Sequence, residues 1–458
     1  MEKGMELDMG EEFASLDFNS SRLEKRFIRT MKTFASQPDK SPWYCSENRA
    51  EAKAIYRLLA NERLDKQEVL RAHREATIRR MREAGGTILA VQDTSSLNYN
   101  GQSKMEGIGY ISDLSLGVNI HSCLAVTAEG LVLGLLSQSS YSRGEPEGMG
   151  GTAYSKASRA LEEKQSFRWV KSLGESMEGL PEDLHVVSVC DREGDMYELF
   201  DAAVQQNRAF VIRIAQNRKT VENRKIFDAI RKSECRGTVK TRIPRDSRGG
   251  VQEREAVLQV RYQSFEIKKP KRLGKNKDLT SELALWVIHV KEESPPQGTK
   301  AIEWYLMTNE PVESFQAAYE KVGWYTQRWK IERFHYVLKS GCAVEKLQER
   351  SMERTTKLVL MYSIIALSIM HITYVARIYP QLPCTVVFAQ EEWKVLYCAA
   401  NKTKRLPSKP PTIVDAVKYL GWLGGPKRAP SDGPPGVKTI WIGLDKLYTL
   451  LEYKEWMT

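Results

Sequence analysis

Two short apolar runs, Thr87–Gln92 (TILAVQ) and His185–Cys190 (HVVSVC), each stop at an aspartate, Asp93 and Asp191. Runs of this length and composition read as buried strands, which need a sheet covered on both faces. Leu124–Thr127 and Leu131–Ser137 flank Glu129-Gly130 and read as a hairpin. Ala209–Ile214 (AFVIRI) reads as a fifth strand, after a helix near Met196–Gln206. Strands with helices between them predict a mixed α/β sheet. A carboxylate at a rigid strand end has two uses: capping the next helix, or holding a hard cation. Both are open for Asp191, since a helix is expected to begin within Arg192–Asp195.

Segments of other character flank this region. Phe13–Ala84 carries apolar residues at helical spacing, first Leu23, Phe27, Met31 and Phe34, then Ile55, Leu58 and Leu59. Arg22, Lys25, Arg26, Arg29 and Lys32 lie among them and suit either a solvated helical surface or a DNA-facing one. From Arg218 to His289, Lys and Arg are dense, including Arg242, Arg245, Arg248, Lys275 and Lys277, between the alternating segments Ala256–Tyr262 and Leu283–Val290. This stretch reads as a basic β-rich insertion, for which charged solvated loops are the plain alternative. A long helix is predicted over Ser314–Ser340. Leu358–Ala376 has no charged residue and is long enough to cross a bilayer. Tyr362, Ser363, His371, Thr373 and Tyr374 spread polar groups round it, so a buried core helix is expected and no membrane partner. Leu406–Gly436, rich in Pro and Gly, is expected to be largely loop. Trp441, Leu444, Leu447, Tyr448 and Leu451 share one helical face, as core or as contact with a second copy.

At 458 residues the chain exceeds what one core organises, and two or three domains are expected. A net charge of +11 suits a polyanionic partner. Seven scattered cysteines, none in a CxxC pair, speak against a zinc finger or a disulfide framework and for a reducing compartment, the cytoplasm. Met1–Glu12 is acidic without an apolar core, so no secretory leader is expected there. No G-x-x-x-x-G-K-[ST] loop is present, and ATP use is not expected.

Chemistry is densest in Tyr325–Lys339 (YTQRWKIERFHYVLK). On one continuous helix, residues advance about 100° each, so Arg328, Glu332 and Lys339 fall within about 60° of Tyr325. Ile331, Phe334 and Leu338 fall elsewhere and can bury. An ion-pair ladder explains Arg328 with Glu332, four apart, but not why Tyr325 and Lys339 share the face. Asp93, Asp191 and Glu332 together suit two hard divalent ions about 4 Å apart, the arrangement that serves phosphodiester chemistry. Arg328 can grip a phosphate bidentately, Lys339 adds a point charge, and Tyr325 can hydrogen-bond a phosphate oxygen.

These residues carry a resemblance. Tyr325–Lys339 matches the Y-x2-R-x3-E-x6-K signature of IS4-group DDE transposases without a gap. VQDTSSLNY at 91–99, EKQSFRW at 163–169, VCDREGD at 189–195 and WYLMTNEPVES at 304–314 resemble further blocks of that family, in the same order and spacing. The resemblance implies an RNase H-like catalytic core with a β-rich insertion, a helical N-terminal DNA-binding domain and a helical C-terminal dimerisation domain. It places these at 1–85 (DNA ends), 86–370 (catalysis, with the insertion at about 218–308) and 371–458 (dimerisation). It implies Asp93, Asp191 and Glu332 as the metal-holding triad for Mg²⁺ or Mn²⁺, two per active site, and no organic cofactor. Trp304 matches the tryptophan that stacks on a flipped base, and Arg213 a phosphate-contacting position. The implied partners are double-stranded DNA with terminal inverted repeats, target DNA and a second copy of the chain, in a bacterial nucleoid. The implied activity is cut-and-paste transposition, with a strand-cleaving nuclease or a domesticated DNA-binding protein as alternatives. One departure stands in the signature: the Tn5 branch has a second lysine where this chain has Tyr336.

Overall fold

The computed structural model describes residues 9–143, 166–243, 254–273, 278–299, 301–426 and 433–457. Residues 163–165 of the EKQSFRW block, and Arg245, Arg248, Lys275 and Lys277 of the basic stretch, lie outside the described residues.

The first segment is helical: α1 (Met9–Glu12), α2 (Ser21–Ser36), α3 (Arg49–Leu59) and α4 (Lys66–Ala84). Ser20, Asn48 and Asp65 start the last three by accepting from the N–H of Leu23, Glu51 and Gln67. Each satisfies a donor that a helix start leaves without a partner. Phe27, Met31 and Phe34 of α2 are fully buried, so the expected apolar stripe is the inner face.

The apolar runs become strands of one ten-stranded sheet. β1 (Thr87–Asn98) pairs antiparallel with β3 (Ser115–Thr127), which also pairs with β2 (Gly109–Ser112) and β4 (Val132–Tyr141). After α5 (Phe167–Met177), β5 (His185–Cys190) lies parallel to β1. α6 (Tyr197–Gln205) then leads to β6 (Ala209–Arg213), parallel to β5. The antiparallel strands β1, β3 and β4 joined to the parallel strands β5 and β6 make the expected RNase H-like core, with the short β2 added at the edge of β3. Past α7 (Ile226–Lys232), β7 (Gly237–Ile243), β8 (Arg254–Lys268), β9 (Glu282–Glu292) and β10 (Glu303–Thr308) form an antiparallel ribbon. β10 pairs with β6, so the ribbon extends the catalytic sheet instead of standing apart from it. Arg218, read with the basic surface, is instead buried against Asp195.

Two expectations for the C-terminal half need correction, and one left open is decided. The long helix over Ser314–Ser340 is broken into α8 (Phe315–Thr326) and α9 (Trp329–Tyr336), and α9 runs into a π-turn at Val337–Gly341. The stretch Leu406–Gly436 holds a helix, because Thr412 caps it and Ile413, Ala416, Val417 and Leu420 give it a buried face. The prolines fall outside that helix. The stripe at Trp441, Leu444 and Leu447 is core within the chain. The helices that follow α9 are α10 (Met352–Ile378), α11 (Gln390–Asn401), α12 (Ile413–Gly424) and α13 (Val437–Met457). α10 is long and apolar enough to span a membrane but is buried inside the molecule, as expected of a core helix.

Candidate active site

Sheet register brings the first two carboxylates together. Val91 is paired with Val189 across the parallel strands β1 and β5. Two residues further along each strand stand Asp93 and Asp191, on the same sheet face. Cys190 is paired with Ile212, so the next step sets Asp191 beside Arg213. Arg213 is paired in turn with Leu306 of β10, and Trp304, two residues from Leu306, shares that face. One row across the sheet thus carries Asp93, Asp191 and Arg213, with Trp304 near its end.

α9 brings the third carboxylate. Arg328 Nη2 is 2.5 Å from Glu332 Oε1, and its Nη1 is 4.0 Å from Asp93 Oδ2. The guanidinium therefore bridges the helix and the strand end. Burial first, and then the charges of Asp191 and Glu332, push the Asp93 carboxyl up to about 7 against the opposing pull of the Thr94 N–H and Arg328. A buried carboxylate facing the charges of two others is a place that cations stabilise, and oxygen donors suit hard divalent ones. Among the described residues no three His, Cys, Asp or Glu side chains are gathered tightly enough to hold an ion as they stand. Arg328 supplies positive charge at this point. Asp191 takes the capping role as well, since its Oδ1 accepts from the Glu193 N–H at 2.7 Å.

The remaining expected residues divide. Gln327 and Arg328 keep helical dihedrals across the break, and Arg328 Cζ stays 5.9 Å over the Tyr325 ring, but the open face expected for all four residues does not extend to Tyr325. It is only 4% exposed and lies edge-on to Trp304, with ring centres 5.4 Å apart. Trp304 itself is half-buried. Arg213 Nη2 donates to the Glu303 carbonyl at 3.3 Å, beside Trp304. Lys339 sits in the π-turn and pairs with Glu345 at 3.5 Å, while the same Glu345 oxygen accepts from the Asn98 N–H at the end of β1. π-turns within helices occur often at functional sites.

Arg168 escaped the sequence reading. Its Nε donates to Thr94 Oγ1 at 2.9 Å and its Nη2 to Glu193 at 2.7 Å, so it braces the residue after Asp93 against the turn after Asp191. It falls in the EKQSFRW block, but only the fold shows what it touches.

Three family profiles match the chain in order: transposase DNA-binding over 9–64, transposase DDE domain over 170–369, and transposase Tn5 dimerisation domain over 364–457. The DDE match includes Asp191 and Glu332 and begins after Asp93. This order of domains on an RNase H-like sheet defines a DDE transposase, an enzyme of DNA transposition. The chain belongs to the Tn5-like transposases of the IS4 group. DNA and a second copy are its partners, and divalent metal ions serve DDE domains generally. One solved structure that matches is a cryo-EM structure of the piggyBac transposase synaptic complex with hairpin DNA, at 11% identity. It covers 82% of this chain and 76% of that one with a TM-score of 0.37, a likeness too loose to carry an argument.

Proposed function

We propose that the chain is a cut-and-paste transposase whose catalytic carboxylates are Asp93, Asp191 and Glu332. The observation that carries this reading is the sheet row of Asp93 and Asp191, with the charge of Glu332 bearing on Asp93. Two Mg²⁺ or Mn²⁺ ions held by these carboxylates would activate the attacking oxygen and neutralise charge on the leaving one. Arg328, held between Asp93 and Glu332, orients the scissile phosphate through paired N–H donors. Arg213 and Lys339 hold the backbone to either side, and Tyr325 supports Trp304 from behind. The indole of Trp304 takes a base rotated out of the duplex.

In this sequence of steps, water cleaves one strand at the transposon end. The freed 3′-OH attacks the opposite strand, forming a new ester and releasing the flanking DNA as the end closes into a hairpin. A second water opens the hairpin, and the restored 3′-OH attacks target DNA. The substrates are paired terminal inverted repeats held by a dimer, in a bacterial nucleoid. Arg22, Arg26, Arg57 and Arg63, which line a groove on the N-terminal helices, are the end-binding candidates.

The test is a denaturing gel of purified protein with its native end duplex and Mg²⁺, beside Asp93→Ala. Metal-dependent nicks and a hairpin band are expected from the first protein alone. Equal processing by both would remove Asp93 from the site.

A further inference from the structure

α9 carries two more cations, Lys330 and Arg333, on one helical flank at i,i+3 spacing. Lys330 lies about 200° round the helix from Arg328, and Arg333 about 100° from Glu332, so neither faces the carboxylate row. α10 presents Tyr374 and Arg377 at the same spacing. The two pairs meet. Lys330 Nζ is 3.8 Å from the centre of the Tyr374 ring, and Arg377 Cζ is 5.5 Å from the same centre. Arg333 is near enough for its charge to act on both Lys330 and Tyr374. The Lys330 stem is fixed by the β3–β4 turn, where a Cβ on Gly130 would come within 2.9 Å of its Cε. Arg333 and Arg377 are exposed.

Four buried or half-buried arginines elsewhere in the molecule are matched: Arg80 with Glu12, Arg218 with Asp195, Arg254 with Glu292, Arg328 with Glu332. Among the described residues, Lys330, Arg333 and Arg377 have no carboxylate within ion-pair reach. Cation–π attraction to one phenol, on the order of 1 kcal/mol per contact, sets the places of Lys330 and Arg377 but leaves the charge of all three uncompensated. Beyond Arg377 the surface runs into a cavity of about 760 Å³, where Lys418 lies 5.2 Å over the Trp422 ring. Asp415 also lines that cavity and accepts from the Thr412 hydroxyl.

We propose that Lys330, Arg333 and Arg377 form a phosphate-backbone site for DNA, on the flank of the signature helix away from the carboxylates. A compact set of cations with no internal counter-charge gains most from a polyanion and reads no bases. Two DNAs present this backbone, the transposon end and the target duplex.

The experiment uses the full chain with Lys330→Ala, Arg333→Ala and Arg377→Ala combined, and a charge-preserving control with Lys330→Arg, Arg333→Lys and Arg377→Lys. Affinity for an end duplex, and capture of an unrelated target duplex by the end-loaded protein, are followed against salt. Loss of three phosphate contacts lowers the log–log salt slope by about 2.7, so from 50 to 200 mM salt the wild type loses about 40-fold more affinity than the alanine variant. The control keeps the wild-type slope. A changed slope on the end duplex assigns the site to the transposon end, and one on the unrelated duplex assigns it to target. Unchanged slopes on both, in protein that melts like wild type, overturn the proposal, as does an equal loss in the control. Should the combined variant fail to fold, Arg377→Ala alone, at an exposed position, must lower one slope by about 0.9 or the proposal falls.

Discussion

The DREGD segment holds two aspartates four residues apart, and the fold gives them different work. Asp191 lies on the sheet row beside Asp93, its carboxylate engaged by one backbone N–H. Asp195 is 4% exposed, accepts from the N–H groups of Ala215 and Gln216 at 2.7 and 2.8 Å, and pairs with buried Arg218. It ties the chain leaving β6 back to the turn after β5. Asp191→Asn keeps a side chain that caps as well as aspartate, so stability should change by less than about 1 kcal/mol while cleavage is lost. Asp195→Asn strands a buried guanidinium and should cost about 3–5 kcal/mol. Urea unfolding beside a nicking gel checks both, and a stable Asp195→Asn protein would show that the Arg218 pair contributes nothing. In the sequence these residues look alike, because the partners of Asp195 lie about twenty positions downstream and only the fold brings them near.

At the scale of elements, what could be read in advance followed local pattern. Short apolar runs became strands, and helical stripes became inner faces. The break between α8 and α9 could not be read that way. Gln327 and Arg328 keep helical dihedrals, and the interruption follows from packing Tyr325 inward against Trp304 while Arg328 reaches Asp93. The helix α12 was hidden by the prolines and glycines around it. Two of those glycines have a purpose: a Cβ on Gly424 would stand 1.9 Å from the Thr439 carbonyl oxygen, and one on Gly443 would stand 2.2 Å from that of Leu420. The backbones of α12 and α13 therefore touch. Gly443→Ala must push them apart, and overpacking of this kind costs about 1–3 kcal/mol. A lower melting temperature and a weaker dimer in sedimentation are expected, since this pair lies in the matched dimerisation region. An unchanged melting curve would mean that the two helices tolerate separation.

For the whole molecule, the question is how the N-terminal helices are held to the catalytic sheet. Basic residues along α2 hinted at DNA, but nothing in their spacing revealed the junction, which is made by buried polar groups scattered over the chain. Glu12 of α1 is 2% exposed and pairs with Arg80 and His73 of α4 at 2.6 and 2.5 Å. Arg80 Nε donates to the Leu133 carbonyl of β4, and His73 Nε2 accepts from the Leu135 N–H. One carboxylate thus compensates a cluster that fastens α4 to the sheet. Burial alone would raise the Glu12 carboxyl, but Arg80 first and His73 next outweigh it and bring it down from 4.5 to about 2. Because the folded value lies below the unfolded one, the stabilisation is complete above about pH 4.5 and is lost as pH falls towards 2. Its size is on the order of 3 kcal/mol. Glu12→Gln removes this linkage and leaves Arg80 buried without its counter-charge, so it should be less stable by about 3–5 kcal/mol at neutral pH. The gap between the two proteins should then close as pH is lowered through the same window, because protonating Glu12 reproduces the substitution. Urea unfolding at a series of pH values measures that gap directly, and one that stayed constant from pH 7 to pH 3 would place the acid sensitivity elsewhere in the chain.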